Sequence, residues 1–494
     1  MPTCCDLHSL PYQADPAFYF RRIHREPGAV LLDSGRPEAE RGRYDICSAW
    51  PLETLLPLAD EPCSEFLLRL RAALRRLEPA GFRGNHELPF AGGLIGYLSY
   101  DFGRRLVNRV DQDQTAISTG QAAIHEQSDS TGGAAGPESD ASLGLYDWAL
   151  ISDHGRQITQ LVFHPHCAAA RREELIERFT PSENPPAAHA LQGHEETSAQ
   201  ERAFILHGDF KPDIDAATYR GAIERIHEYI RAGDCYQVNY TQRFQSRYSG
   251  DPWGAYCALR RACPTPFSGY MNLGGDNAIL SLSPERFMRL ENGRIEARPI
   301  KGTRPRGATA EADLANADQL CNSAKDRAEN LMIVDLLRND IGRASRIGSV
   351  HVPELFSLES YPNVHHLVSC IRAELAEGLD AFDLLAAGFP GGSITGAPKI
   401  RAMEIIDELE PHARSLYCGS LLYVDSRGNM DSSITIRSLL ALEGNIRCWG
   451  GGGIVMDSDW QEEYRESIAK VDVLLKTLQA LPASGSGPDS GPDF

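Results

Sequence analysis

LYCGSLLYVDSRGNMDSSITIRSLLALEGNIRCW, residues Leu416–Trp449, reads as three strands in direct succession: Leu416–Tyr423, Asp431–Ala441 and Ile446–Trp449. A final helix over Glu462–Leu478 follows. Upstream, Cys235–Ser249, Ala278–Leu282 and Ile295–Pro299 also read as strands. Ala217–Ala232 reads as an amphipathic helix with Tyr219, Ile223, Ile226 and Ile230 on one face, closed by Gly233. Asn322–Asn339, with Leu331, Met332, Val334, Leu336 and Leu337, and Ala397–Leu409 read as further helices. Strands come in neighbouring runs, without strict βαβ alternation, which predicts an α+β fold with large antiparallel or mixed sheets.

The chain has 494 residues, 42% of them apolar, enough for a substantial core. It carries 49 basic and 68 acidic residues, a net charge of −19. That balance argues against nucleic acid or an anionic membrane as partner, because both need a basic face. An anionic substrate would need a locally positive pocket or a metal. No run of about 18 apolar residues predicts a transmembrane helix, and Met1–Asp6 lacks the basic start of a signal peptide. The 12 scattered cysteines include no C-x-x-C pair, which predicts a reducing, cytoplasmic setting. Residues 110–143, 180–202 and the tail from about 482 are poor in large apolar side chains and read as disordered. The expected division is an N-terminal domain over 1–180 with an insertion at 110–143, a linker over 181–211, a catalytic domain over 212–480 and a tail over 481–494.

Four motifs have chemical potential. Gly388-Phe-Pro-Gly-Gly-Ser-Ile-Thr-Gly-Ala-Pro-Lys399 puts four glycines before a helix. Such a loop either points backbone N–H groups at an anion or makes a tight structural turn. Asp326 with Glu329, and Glu463 with Glu466, are i, i+3 acidic couples on two helices. Together they would suit Mg²⁺, and separately they would be solvated charge. Trp449-Gly-Gly-Gly-Gly-Ile-Val455 allows close backbone approach to a ligand, or a bulge. Arg298-Pro-Ile-Lys-Gly-Thr-Arg-Pro-Arg306 surrounds Lys301 with cations, which lowers a lysine pKa, or forms an exposed basic turn.

Taken together with Ser283-Pro-Glu-Arg-Phe287, Glu329–Asp340, Val364-His-His-Leu367 and Gly453-Ile-Val-Met-Asp457, these motifs resemble the chorismate-utilising family of anthranilate, aminodeoxychorismate, isochorismate and salicylate synthases. The likeness covers about 212–478. In the N-terminal part it is carried by Ser9-Leu-Pro-Tyr12, Leu31-Leu-Asp-Ser-Gly35 and Tyr44-Asp-Ile46. The resemblance implies two large antiparallel sheets packed as a sandwich, helices outside, and an active site in a cleft. It implies Mg²⁺ held by Glu329 and Glu466, with Glu463 and Asp326 supporting. Arg437, Tyr417 and the Gly452–Gly453 backbone would meet the enolpyruvyl carboxylate. His366 would stand near the departing C4 hydroxyl, Ser393, Thr395 and Gly396 would line the ring, and Thr303, Gln237 and Lys470 would complete the substrate site. Leu32 and Ser34 fall where relatives form a tryptophan pocket.

Two positions separate the members. Relatives that add water carry a lysine base where this chain has Gln237. Anthranilate synthases have alanine where this chain has Lys301, as aminodeoxychorismate synthases do not. The resemblance therefore implies that Lys301 attacks C2 of chorismate, with Glu285 as general acid and base, and that ammonia then enters at C4. With no glutaminase-like cysteine motif in the chain, ammonia from glutamine would come from a glutamine amidotransferase subunit. The alternatives are an anthranilate synthase and an inactive, tryptophan-binding relative.

Overall fold

The computed structural model describes residues 4–39, 42–82, 87–107, 139–180, 203–361 and 364–482. Among these, twelve strands form one sheet and ten form another, and all pairings within them are antiparallel. The larger sheet runs Asp6–Leu10, Ile158–Phe163, Trp148–Asp153, Tyr44–Ser48, Val30–Asp33, Phe267–Gly274, Asn277–Ser283, Ser438–Leu442, Asn445–Ile454, Gln237–Ser249 and Gly396–Ala397, with Ile205–Pro212 also on Gln237–Ser249. The smaller runs Ile300–Pro305, Val364–Glu374, Arg294–Ala297, Arg286–Glu291, Met430–Ser433, Ser420–Asp425, Gly93–Leu98, Ala141–Tyr146 and Glu53–Leu55, with His351–Ser360 on Val364–Glu374.

Consecutive strand residues point to opposite faces, and here they feed two different cores. Val30, Ile46, Ile279 and Leu440 join Leu94, Leu421 and Leu422 of the smaller sheet in one cluster. Their neighbours Leu31, Cys47, Leu280 and Leu439 pack outward against Tyr256 and Leu259 of helix Pro252–Ala262 and Val471 and Leu474 of helix Trp460–Gln479. The sandwich with outer helices is as expected.

Several boundaries are corrected. Strands from before residue 180 and after residue 203 are hydrogen-bonded neighbours in both sheets, so the expected N-terminal and catalytic segments share one framework. Ala141–Leu143, expected within a disordered insertion, begins the buried strand Ala141–Tyr146; 108–138 lies outside the described residues. Ile205–Pro212, expected as linker, is a strand; 181–202 and the tail from 483 lie outside the described residues. The helix expected over Asn322–Asn339 is observed as Ala324–Gly342, with the Ser323 hydroxyl capping it by accepting from the Asp326 N–H, and a separate helix over Ala310–Asn322 precedes it. The expected strand Asp431–Ala441 is two: Met430–Ser433 lies in the smaller sheet and Ser438–Leu442 in the larger. The chain crosses between sheets at Ile434–Arg437, where Arg437 adopts φ 50°.

Candidate active site

Lys301 enters the site through a bulge. Ile300 faces Val368 while Thr303 faces His366, so one extra residue is accommodated on the Lys301 strand. Gly302 there has φ +84°, and a Cβ would meet Leu320 at 2.8 Å and Asp326 at 3.0 Å. Lys301 Nζ donates to the Ser393 carbonyl at 3.2 Å, and the Ser393 hydroxyl donates to Glu285 Oε1 at 3.4 Å. Burial holds the Lys301 ammonium below its ordinary value, against the opposing charges of Glu285, Glu329 and Glu466. Burial pushes the Glu285 carboxyl up to about 7, although Lys301 and Ser393 favour its charge. A lysine biased toward the free amine beside a carboxyl poised near neutral is an arrangement for nucleophilic attack with proton transfer.

His366 Nδ1 is hydrogen-bonded to the Thr303 hydroxyl at 2.9 Å, and its ring stands edge-on to Tyr361. Burial, with Arg437 adding positive charge, lowers the His366 imidazole to about 4, so it is neutral at pH 7. Arg437 is thereby tied to the same region. Tyr417 is buried and stacks on Trp449, with ring centroids 6.0 Å apart and planes 7° apart.

The four glycines after Trp449 lie within the strand Asn445–Ile454, not after it. On one face, a Cβ at Gly450 would meet the Ser467 carbonyl at 2.0 Å, so helix Trp460–Gln479 lies directly on the strand. That approach brings Glu463 Oε2, Lys470 Nζ and Glu466 Oε1 within 3.2, 3.3 and 3.7 Å of a Cβ at Gly452. On the other face, a Cβ at Gly453 would meet Gln237 Nε2 at 2.5 Å. Lys470 Nζ bonds Glu466 at 2.7 Å and the Gly451 carbonyl at 2.8 Å. Burial raises the Glu466 carboxyl, but Lys470, with Lys325 and Lys301, more than offsets this and leaves it below its ordinary value. Burial raises the Glu463 carboxyl even though the Ser458 hydroxyl donates to it at 2.7 Å. Burial also raises Glu329, helped by the like charges of Asp326 and Glu466.

The charges of Glu329 and Glu463 are disfavoured by burial and a divalent cation would relieve them, while Glu466 already has Lys470 beside it. Mg²⁺ keeps several waters and takes one or two protein carboxylates, and Glu329 with Glu466 fits that sparse requirement. Among the described residues, no set of three or more His, Cys, Asp or Glu side chains already stands grouped for a metal. Asp326 is engaged by Arg304 at 2.9 Å, which takes it away from a ligand role in this geometry.

The chorismate binding enzyme family matches residues 29–476. The chain belongs to that family. It is 45% identical over 482 residues to aminodeoxychorismate synthase component 1 of Escherichia coli, covering 95% of this chain and 98% of that protein. It is 38% identical to the Streptomyces lividans protein of the same name, covering 91% and 90%. Anthranilate synthase component 1 of Pseudomonas aeruginosa is 35% identical, covering 94% and 92%. Among solved structures, anthranilate synthase component I of Streptococcus pneumoniae superposes with a TM-score of 0.67 at 28% identity, covering 89% and 93%. The menaquinone-specific isochorismate synthase of E. coli shares the fold, with a TM-score of 0.66 at 17% identity.

As a chorismate binding enzyme, the chain uses its Gly388–Lys399 loop differently from a simple anion cradle. Lys399 Nζ is buried, bonded to Asp340 at 2.6 Å and to the Gly388 carbonyl at 2.9 Å, so its charge is spent inside the fold. The glycines are required by contact: a Cβ at Gly392 would meet Leu336 at 2.2 Å, and one at Gly396 the Gln237 carbonyl at 2.2 Å. Asn239 N–H donates to the Thr395 carbonyl, joining the loop to the Gln237 strand. Sequence reasoning missed Arg414, which donates to the Ile394 carbonyl of this loop, and its partner Glu410; the only signal was their i, i+4 spacing. Leu32 and Ser34 line a separate cavity of about 200 Å³ between the sheets, with Arg43, Phe267, Arg286 and Asp431.

Proposed function

We propose that this chain is the chorismate-aminating component of an aminodeoxychorismate synthase, converting chorismate and ammonia to 4-amino-4-deoxychorismate, a precursor of 4-aminobenzoate and folate. The observation that carries the reading is Lys301 joined through Ser393 to Glu285, at the position where an alanine would mark an anthranilate synthase. Three near full-length relatives at 42–45% identity, all named aminodeoxychorismate synthase component 1, support it; the matching anthranilate synthases of Pseudomonas are 35–38% identical.

In this mechanism the neutral Lys301 amine attacks ring C2. The ring double bonds shift, the C4–O bond breaks, and Glu285 gives its proton so that the oxygen leaves as water. Ammonia then attacks C4, the double bonds shift back, and the C2–N bond breaks with its electron pair returning to Lys301. The Glu285 carboxylate takes the proton shed by the incoming nitrogen. Two allylic displacements, the first by a positioned amine, replace one difficult substitution at C4. Thr303 fixes the His366 ring at Nδ1 and leaves Nε2 toward the departing hydroxyl. Gln237, carrying no basic amine, does not activate water. Mg²⁺, when bound near Glu329 and Glu466, would hold the ring carboxylate and offset its charge.

Ammonia is supplied by a separate glutamine amidotransferase subunit in this reading, since the chain has no glutaminase-like cysteine motif and its relatives are named as first components. Gel filtration and glutamine-dependent turnover, with and without that subunit, test the association. The cavity at Leu32 and Ser34 is proposed as a tryptophan pocket. The deciding assay combines purified protein, chorismate, Mg²⁺ and ammonium. A product that retains its enolpyruvyl group supports the reading; fluorescent anthranilate with released pyruvate, in the absence of any added lyase, overturns it.

A further inference from the structure

We propose that Arg414 is a positioning residue that locks the Ser393 loop to the Gln237 strand and thereby sets the place of the Lys301 amine. The proposal rests on Lys301 and Ser393 belonging to the active site described above. Arg414 is 1% exposed. Its Nη1 donates to the Ile394 carbonyl at 2.8 Å, one residue after Ser393, and its Nη2 donates to the Asn239 carbonyl at 2.6 Å, two residues after Gln237. Nε and Nη2 also donate to the two oxygens of Glu410 at 2.9 and 2.7 Å. Glu410 Oε1 in turn accepts from the Thr241 N–H at 2.9 Å and the Thr241 hydroxyl at 2.8 Å. One guanidinium and one carboxylate thus hold three points of the Gln237 strand and the loop together. The Tyr100 ring closes the guanidinium face, with its centroid 4.8 Å from Cζ.

A buried ion pair of this kind contributes little net stability compared with apolar packing, and its use is to specify one arrangement. The arrangement here is the one that matters for chemistry, because the Ser393 carbonyl accepts from Lys301 and the Ser393 hydroxyl faces Glu285. A planar fork with donors in fixed directions is needed to reach Ile394, Asn239 and Glu410 at once. A lysine keeps the charge but reaches only some of these acceptors.

The test compares the full chain with Arg414→Lys. In steady-state assays with ammonium, kcat is expected to fall about tenfold or more while the KM for chorismate changes little, since sub-ångström displacement of reacting groups costs rate before binding. A second readout needs no chorismate: acylation of Lys301 by an amine-reactive reagent at pH 8, followed by mass spectrometry. Losing the Ser393 carbonyl as acceptor frees the amine, so Lys301 should label about three to ten times faster, with the exposed lysines unchanged. Unchanged Lys301 labelling in a folded R414K overturns the proposal, whatever the reaction proves to be. Altered labelling without C4 amination by the parent would keep the positioning role and sink the aminating reading instead. Should R414K not fold, Glu410→Gln is read in the same two ways.

Discussion

Lys301 Nζ donates to the backbone carbonyl of Ser393 at 3.2 Å, so the amine of the proposed nucleophile is aimed by main chain and not by a mobile side chain. With burial biasing it toward the neutral form, it should be captured in covalent form. Acid-quenched mixtures of protein and chorismate, without ammonium, should contain protein heavier by chorismate less one water, and peptide mapping should place the addition on Lys301. Lys301→Ala should show no adduct and no C4 amination. An adduct elsewhere, or amination by the alanine variant at the parent rate, refutes the covalent route.

Glu285 costs the fold stability to serve the reaction. Its carboxyl is raised to about 7 from an ordinary 4.5 by burial. A raised acid favours the folded state while protonated, and that advantage is lost as pH climbs from 4.5 through 7. Glu285→Gln should therefore melt higher than the parent at pH 8, by up to about 3 kcal/mol, with the gain gone below pH 4.5. The same variant should lose on the order of a hundred- to ten-thousandfold in turnover. A lower melting temperature at pH 8 contradicts this account.

His366 has the opposite sign. Its imidazole is depressed from 6.5 to about 4, chiefly by burial. The folded state then binds fewer protons than the unfolded state between these values, so stability is complete above pH 6.5 and falls as pH drops toward 4. Replacing His366 with Asn should flatten that acid-side slope by up to about 3 kcal/mol, measured as urea midpoints at pH 4.5 and 7.5. Parallel slopes in parent and variant would show that His366 titrates normally.

Much of this was legible in sequence, and the failures have physical causes. The strand runs around Leu416–Trp449 predicted antiparallel or mixed sheets, and the sheets are antiparallel because strands with no helix between them pair with each other. The sheet change inside Asp431–Ala441 was invisible: Ile434 and Ile436 continue the alternation, and the turn sits on Arg437 in a conformation that its residue type does not announce. The start of helix Ala324–Gly342 was placed two residues early because helix formers lie on both sides of a single capping serine. The run around Lys301 left a pKa-lowered lysine and an exposed basic turn both open; the family resemblance decided between them, since the partners that bury it, Ser393 and the Val364–Glu374 strand, come from distant parts of the chain. Asp326 looked equivalent to Glu329 by spacing, yet Arg304, 22 residues earlier, claims it.

Glu329 should report Mg²⁺ directly. Burial and neighbouring Asp326 and Glu466 disfavour its charge, so in the absence of metal Glu329→Gln should be slightly more stable than the parent at neutral pH. Millimolar Mg²⁺ should raise the parent's melting temperature by a few degrees through preferential binding to the folded state, and chelation should reverse it. The glutamine variant should lose most of that rise. An equal rise in both proteins would place the cation elsewhere.

The cavity at Leu32 and Ser34 makes a prediction independent of the reaction. It is walled by apolar Leu32, Ile46, Phe267 and Leu421 and by charged Arg43, Arg286 and Asp431, a mixture suited to an aromatic amino acid with both its carboxylate and ammonium paired. Arg286 bonds Asp431 at 2.9 and 3.0 Å and directly follows Glu285, so an occupant touches the strand that begins one residue after the acid. Free L-tryptophan at about a hundred times its Kd should stabilise the parent by about 2.7 kcal/mol, read as a thermal shift. Leu32→Trp, which fills the space from within, should abolish the shift while leaving Lys301 chemistry in place. If the filled variant still responds to tryptophan, or the parent never does, the pocket is not a tryptophan site.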